Sequence, residues 1–338
     1  MNQNAPLFVI GTERSGSNLL RLMLNAHPRI SVPHPPHILH YFAPLERGYG
    51  DLQQDRNFAR LVRDVLRLVK VHIHPWAYKP QFDYVLKAAA PRDALGIKAA
   101  LYRGHMHFDG KARWGCKSTF VVHHVKRVVR AFPDARFLWL IRDPRDVAVS
   151  SRISVFNPFH RQRTAQLWTR EQRLGLAAEA SLGPARLKRV YYEELIADPA
   201  AALRAISAFL GEDYSESMLR YYEGPDARRG AALSASWANV ARPVNPNNAG
   251  RFRTELSDHE RALVEAEAGD VMNALGYPLE HPPLAPRWRL APHAHSIALD
   301  YALRLRVEAH SLMHERNHWR RWARRCLLTW LQLVGWHV

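Results

Sequence analysis

The chain has 338 residues, 47% of them hydrophobic, and a formal net charge of +17 at neutral pH. That apolar content supplies a full core and excludes wholesale disorder, and the length suits one large domain or a domain with an appendage. The charge points to anionic partners: nucleotide, sulfated or phosphorylated substrate, nucleic acid or anionic lipid.

Phe8-Val9-Ile10 is an apolar strand that leads through Gly11-Thr12-Glu13-Arg14-Ser15-Gly16 into Ser17-Asn18-Leu19-Leu20. The last four residues open an amphipathic helix that runs to Ala26 and is stopped by Pro28. Strand, glycine turn and helix N-terminus form a phosphate cradle, in which backbone N–H groups and the positive end of the helix dipole converge on an anion. The two glycines let the backbone turn tightly and approach the ligand. Their spacing is that of a Walker A loop, but Ser17 follows Gly16 where that loop has lysine. Arg14 supplies a cation from inside the loop instead, and a guanidinium binds phosphate or sulfate oxygens in bidentate fashion.

Ile30 to His37 reads as a proline-stiffened loop carrying His34 and His37. Apolar periodicity predicts helices over 54–70 and 93–108. Trp114 to Ser118 reads as a short strand ending at Lys117, and His123 to Phe132 as a basic amphipathic helix. Arg136 to Ile141 is near-continuously apolar, as in a strand buried on both faces of a parallel sheet. It stops at Arg142, and a helix carrying Ser150 follows. Further on come a helix near 160–180, a strand over Arg189 to Glu194 and a capped helix from Pro199 to Leu210. Residues 224–256 are loop-rich and hold Arg251 and Arg253, and Ser257 to Glu260 is a capping box for a helix to Leu275.

Strands alternating with helices imply an α/β fold: a P-loop-like α/β/α three-layer domain over residues 1–278 with a central parallel sheet and right-handed crossovers. Residues 279–292 are a proline-rich linker, and residues 293–338 form a basic, tryptophan-rich helical appendage. Cys116 and Cys326 exclude a disulfide framework and form no CxxC metal spacing. The first strand starts too early to leave room for a secretion signal, and the apolar run from Leu327 to Trp336 is too broken for a membrane span. The expected setting is therefore a reducing cytoplasm.

In an open parallel sheet, ligands sit beyond the carboxyl ends of the strands. Arg14, Lys117 and Arg142 all occupy that position, so an oxyanion site is expected there. These residues also carry a resemblance. The stretch from Gly11 to Leu20, followed by Ala26-His27-Pro28, resembles the 5′-phosphosulfate loop of sulfotransferases, especially the bacterial and tyrosylprotein branches. Phe132-Pro133-Asp134-Ala135-Arg136-Phe137 running into Arg142-Asp143-Pro144-Arg145-Asp146-Val147-Ala148-Val149-Ser150 resembles that family's 3′-phosphate segment. Val190 to Leu195 is similar to a later strand whose tyrosine lies near the adenine. The resemblance covers residues 6–277 or so and leaves the appendage outside it.

The resemblance implies transfer of a sulfuryl group from 3′-phosphoadenosine 5′-phosphosulfate (PAPS) to a hydroxyl or amine, with 3′-phosphoadenosine 5′-phosphate (PAP) as product and no metal. Arg14, Ser15, Gly16, Ser17 and Asn18 would hold the 5′-phosphosulfate, and Arg142 and Ser150 the 3′-phosphate. Tyr192 and Arg251 join the cofactor set, and Lys117 would stand near the transferring sulfate. In-line transfer of this kind depends on positioning and on neutralising charge, so fixed cations suffice. The glutamate that the family often carries after the His-Pro turn is missing here. His37 and His34 are the bases at hand, with Glu13 as an outside candidate.

Two rival readings are a P-loop-like, kinase-like nucleotide phosphotransferase, which the absent lysine disfavours, and a basic nucleic-acid-binding protein, for which no reader motif is present. The acceptor (small molecule, glycan, lipid or peptide) is left open. In the appendage, His310, His314 and His318 have the spacing for a metal on one helix, but a polar face is the expected reading. The tryptophans and arginines fit either an interfacial helix at the inner membrane surface or a face docked on the domain or on a second copy.

Overall fold

The structure is a computed structural model that describes residues 4–152, 154, 160–233, 235–281, 293–315 and 317–334. Five strands, β1 (Leu7–Gly11), β2 (Ile30–Ser31), β3 (Arg113–Lys117), β4 (Arg136–Ile141) and β5 (Leu187–Tyr191), form one sheet in the order β2-β3-β1-β4-β5. Every pairing is parallel, with Leu7 opposite both Gly115 and Arg136.

The strands are apolar on both sides because both sides are covered. Phe8 and Ile10 of β1, with Phe137, Trp139 and Ile141 of β4, face a core shared with the helices Asp55–Lys70, Ala94–Phe108 and Arg161–Leu182. Leu7, Val9, Leu138 and Leu140 face the opposite core, shared with the helices Ser17–Ala26 and Pro199–Leu210. The period-two alternation of side chains thus feeds two helical layers, and the expected α/β/α order is present. The capping box at Ser257 and Glu260 also forms as expected.

Four local expectations change. Ile30–Ser31, read as loop, is an edge strand, too short for alternation to register and created by its pairing with Arg113 and Trp114. The strand expected to run to Glu194 stops at Tyr191, opposite the last residue of β4, and Tyr192 opens the helix Tyr192–Ala197. The helix expected over His123 to Phe132 is split into a 3-10 segment, Thr119–His124, and a helix, Val125–Ala131. Inside the loop-rich 224–256 stretch lies a helix, Pro225–Leu233, tied down by a 2.5 Å ion pair between Asp226 and the buried Arg21.

The C-terminal region forms two helices, His293–His314 and His318–Val334. The break between them takes His318 off the helix of His310 and His314, which removes the i, i+4, i+8 geometry. Among the described residues, no group of three or more His, Cys, Asp or Glu side chains could hold a metal ion. The second of these helices packs Leu331, flanked by Leu327 and Leu328, on the larger core. Residues 282–292 of the expected linker lie outside the described residues, and no described helix is long and apolar enough to cross a membrane.

A buried relay fixes the sheet to its covering helix. Trp139 Nε1 donates to Gln172 Oε1 at 2.7 Å, and Gln172 Nε2 donates to Thr12 Oγ1 at 3.1 Å. Gly175, one turn after Gln172, leaves room for the Trp139 ring, since a Cβ there would lie 2.2 Å from the indole. Gly175→Ala is therefore expected to destabilise the fold by about 1–3 kcal/mol through overpacking, read as a lower urea midpoint at unchanged m-value.

Candidate active site

The turn after β1 is built by steric demand. Gly11 has φ +139, and a Cβ on it would lie 2.3 Å from the Leu140 carbonyl oxygen. Arg14 (φ 69) and Gly16 (φ 87) both have left-handed backbone, which brings the chain round onto the helix Ser17–Ala26. No side chain caps that helix, so the N–H groups of its first turn are left for an anion. A Cβ on Gly16 would lie 2.3 Å from the Tyr192 ring, so the loop can pack against that ring only as glycine.

The strand order does the rest. With β3 and β4 on either side of β1, the cations that follow each strand meet at one edge. Arg14 Nε donates to Ser150 Oγ at 3.1 Å. Arg142 donates to the Arg14 carbonyl at 3.1 Å and to the Asn248 carbonyl at 2.8 Å, and its guanidinium lies 4.2 Å from the centre of the Tyr192 ring. Asn248 Nδ2 in turn donates to the Tyr192 hydroxyl at 2.6 Å. Arg251 bonds the Asn248 side chain and pairs with Glu255. Two buried polar atoms here have no hydrogen-bond partner among the described residues, Ser15 Oγ and Arg142 Nε. Orphaned donors beside convergent cations are what an anion would satisfy.

The histidines line the same cleft, with His37 beside Lys117. His37 has φ 54, and its Nδ1 lies 2.9 Å from Ser118 Oγ. His34 Nδ1 lies 3.1 Å from His72 Nε2, and the His34 ring stacks on His74 at 4.9 Å. Burial, reinforced by Lys117 for His37 and by the neighbouring histidines for His34, holds both imidazoles well below their ordinary pKa, so both are neutral at pH 7. Burial also pushes the Glu13 carboxyl up to about 7 against the pull of Lys117. It lowers Lys117 to about 8, with Glu13 pulling the other way, and Arg14 to about 10.

Glu13, Arg14, Gly16, Ser17, Asn18, His34, His37, Lys117, Arg142, Ser150, Tyr192 and Arg251 line one cleft of about 510 Å³. Ser15 lies beneath it, fully buried. Every site residue singled out from the sequence is thus gathered at one place. Several lining residues carried no sequence signal: His40, Tyr41, Phe120, Trp237, Asn248 and Arg324. The Asn245–Gly250 turn is visible as a turn, but nothing in it announces that Asp146 receives the backbone N–H groups of Gly250 and Phe252, at 2.7 and 2.9 Å. His27, part of the motif that follows the loop, is structural here: it is buried, with Nε2 2.8 Å from the Asp213 carbonyl.

The sequence profile described as Sulfotransferase family matches residues 6–216, well over half of the chain. The chain belongs to the sulfotransferase family. It is 25% identical over 293 residues to a protein-tyrosine sulfotransferase of Drosophila melanogaster, a match covering 83% of this chain and 54% of that protein, so the chain spans about half of that relative's length. It is 24% identical over 326 residues to an omega-hydroxy-beta-dihydromenaquinone-9 sulfotransferase of Mycobacterium bovis, covering 85% of this chain and 78% of that protein. Among solved structures, the sulfotransferase domain from the curacin biosynthetic pathway has the same fold, with a TM-score of 0.59 at 19% identity, over 82% of this chain and 99% of that one.

The coupling of Glu13 and Lys117 is directly measurable. Since Lys117 pulls the Glu13 carboxyl down against burial, Lys117→Met is expected to raise its midpoint above the wild-type value of about 7. Carbon-detected NMR titration of the Glu13 carboxyl would show this, and an unmoved midpoint would mean that the two groups do not interact.

Proposed function

We propose that this chain transfers a sulfuryl group from PAPS to a hydroxyl carried on an apolar body. The observation that supports this most strongly is the convergence of Arg14, Lys117 and Arg142, from the ends of three adjacent strands, on a cleft that also holds neutral histidines. The uncapped helix, the orphaned Ser15 hydroxyl and the orphaned Arg142 Nε fit the anionic groups of such a donor. In this reading the Arg14 to Asn18 loop holds the 5′-phosphosulfate and Arg142 with Ser150 holds the 3′-phosphate. Tyr192 and Arg251 border the nucleotide.

The donor supplies a sulfur already bonded to a good leaving group. The protein's part is to hold it in line and to offset the charge on its oxygens, which Lys117 and Arg14 do from β3 and from the loop. As the acceptor oxygen bonds to sulfur, the bond between sulfur and the phosphate oxygen breaks, and PAP leaves with that electron pair. The acceptor's proton passes to His37 Nε2. His37 is preferred over His34 because it is only half-buried and its Nδ1 is engaged by Ser118, whereas His34 is 4% exposed and sits between other rings. Glu13, against Lys117, is better placed to tune that ammonium. The apolar acceptor body follows from the rings on the acceptor side: Phe120, Tyr41 and Trp237. The names of the two relatives above, one acting on protein tyrosine and one on an omega-hydroxy quinone, fit the same acceptor chemistry.

Calorimetric titration with PAP, against ATP–magnesium, tests the donor. Wild type is expected to bind PAP and to prefer it, and Arg142→Ala to weaken PAP roughly 10- to 100-fold, the loss expected for a charged hydrogen bond. A preference for ATP–magnesium would overturn the assignment in favour of phosphoryl transfer. His37→Ala is expected to lower kcat by about 10²–10⁴ with PAP affinity unchanged, the signature of a lost base.

Because His37 is neutral throughout the neutral range, its protonation should not limit kcat/KM near pH 7. Lys117 should: its charge is lost as pH rises through about 8, so activity is expected to fall there. Lys117→Arg should move that limb to higher pH, whatever its cost in kcat.

A further inference from the structure

The last helix, His318–Val334, is apolar on two sides. Leu331, with Leu327 and Leu328, packs on the core. Trp319, Trp322, Trp330 and Leu333 are 66%, 55%, 46% and 65% exposed. At 100° per residue these four fall within about 80° of one another, a single outward stripe. Arg320 and Arg325 flank it, one on either side, and both are exposed, with Arg325 also pairing with Glu308. The helix carries four arginines and no carboxylate.

Beside this stripe opens a separate cavity of about 680 Å³. Apolar side chains, Trp76 and Phe82 among them, form its walls, and its charged groups are all cations: Arg63, Arg67, Lys70, Lys79 and Arg320. Arg320 belongs to the helix and donates to the Lys70 carbonyl, and Arg67 lies 5.7 Å from the ring of Trp330. Stripe and cavity therefore share one basic margin.

We infer that this face docks on an anionic phospholipid bilayer, with the tryptophans at the headgroup level and the flanking arginines against lipid phosphates. Aromatic side chains between arginines suit that boundary, where the ring is half in hydrocarbon and the guanidinium stays in water. Each arginine near an anionic surface adds attraction. A second copy is the poorer occupant, because a two-fold contact through this stripe would bring both arginine margins, on a chain of net charge +17, against their own copies. Arg324, on the opposite face of the same helix, lines the cleft, so the helix that docks is also a wall of the cleft. The inference does not depend on the sulfuryl-transfer reading.

The test is co-sedimentation of the full chain with phosphatidylcholine vesicles, with and without phosphatidylglycerol, together with tryptophan emission. Wild type is expected to bind the anionic vesicles, with a blue shift, and to leave zwitterionic ones largely unbound. The exposed pair Trp319→Ser/Trp322→Ser is expected to weaken binding at least tenfold, and Arg320→Gln/Arg325→Gln about 10- to 30-fold, the latter recovering none of it at low salt. Circular dichroism and PAP affinity should stay at wild-type values in both. Absence of vesicle binding, or binding indifferent to the tryptophans, would overturn the inference. So would a concentration-dependent dimer, seen by sedimentation velocity, that Trp319→Ser/Trp322→Ser dissolves, since it would give the face to a second copy.

Discussion

The cationic side of the cleft depends on one ring. Tyr192 occupies the space that the missing Cβ of Gly16 leaves, lies beneath the Arg142 guanidinium and receives a hydrogen bond from Asn248. Through it the turn after β1, the end of β4, the start of a helix after β5 and a distant loop are held in one arrangement. The contact is mostly steric and cation–π, so it tolerates neither a side chain at Gly16 nor the loss of the ring's face. Arg14 is thereby held by the Ser150 hydroxyl and Arg142 by two backbone carbonyls, with the Asp146 carboxylate 3.8 Å from Arg142 and Arg142 Nε left without a partner among the described residues.

Electrostatics and burial act together on the titratable groups of the cleft. In a strongly basic chain, a buried imidazole is discouraged from taking a proton both by desolvation and by the cations around it. Burial draws Lys117 and the Glu13 carboxyl toward neutral pH from opposite sides, and their mutual attraction opposes both shifts. A site that gathers positive charge thus keeps its histidines unprotonated without further machinery.

How much of this was legible in the sequence varies by residue, for physical reasons. The loop after β1, Lys117 and Arg142 could be read because each is an apolar run that ends abruptly in a polar, cationic turn, and the rule that ligands gather at strand ends brings them together. The helix from Ser257 was readable from its capping box. Tyr192, which lines the cleft, reads from sequence as part of a strand, because only the length of β4 shows where pairing must stop. The edge strand Ile30–Ser31 was too short to show a period. Asp146 stands in a readable motif, but its contacts with Gly250 and Phe252, like the place of Arg324 in the cleft, span long separations that no local pattern encodes. The family match ends at residue 216, yet Trp237, Asn248, Arg251 and Arg324 complete the cleft.

That last arrangement has a consequence for how the protein is made. Asp146 must wait for the backbone of Gly250, 104 residues later, before its carboxylate is satisfied. The five-stranded sheet is complete when Tyr191 has emerged, but the cleft is not. During synthesis a nascent chain would carry a finished scaffold with its cationic edge open, and chains fold vectorially at a pace set by elongation. The wall bearing Asn248, and then Arg324, closes over that edge only once those later residues have emerged. The order of synthesis therefore keeps the cleft incomplete long after the sheet is finished.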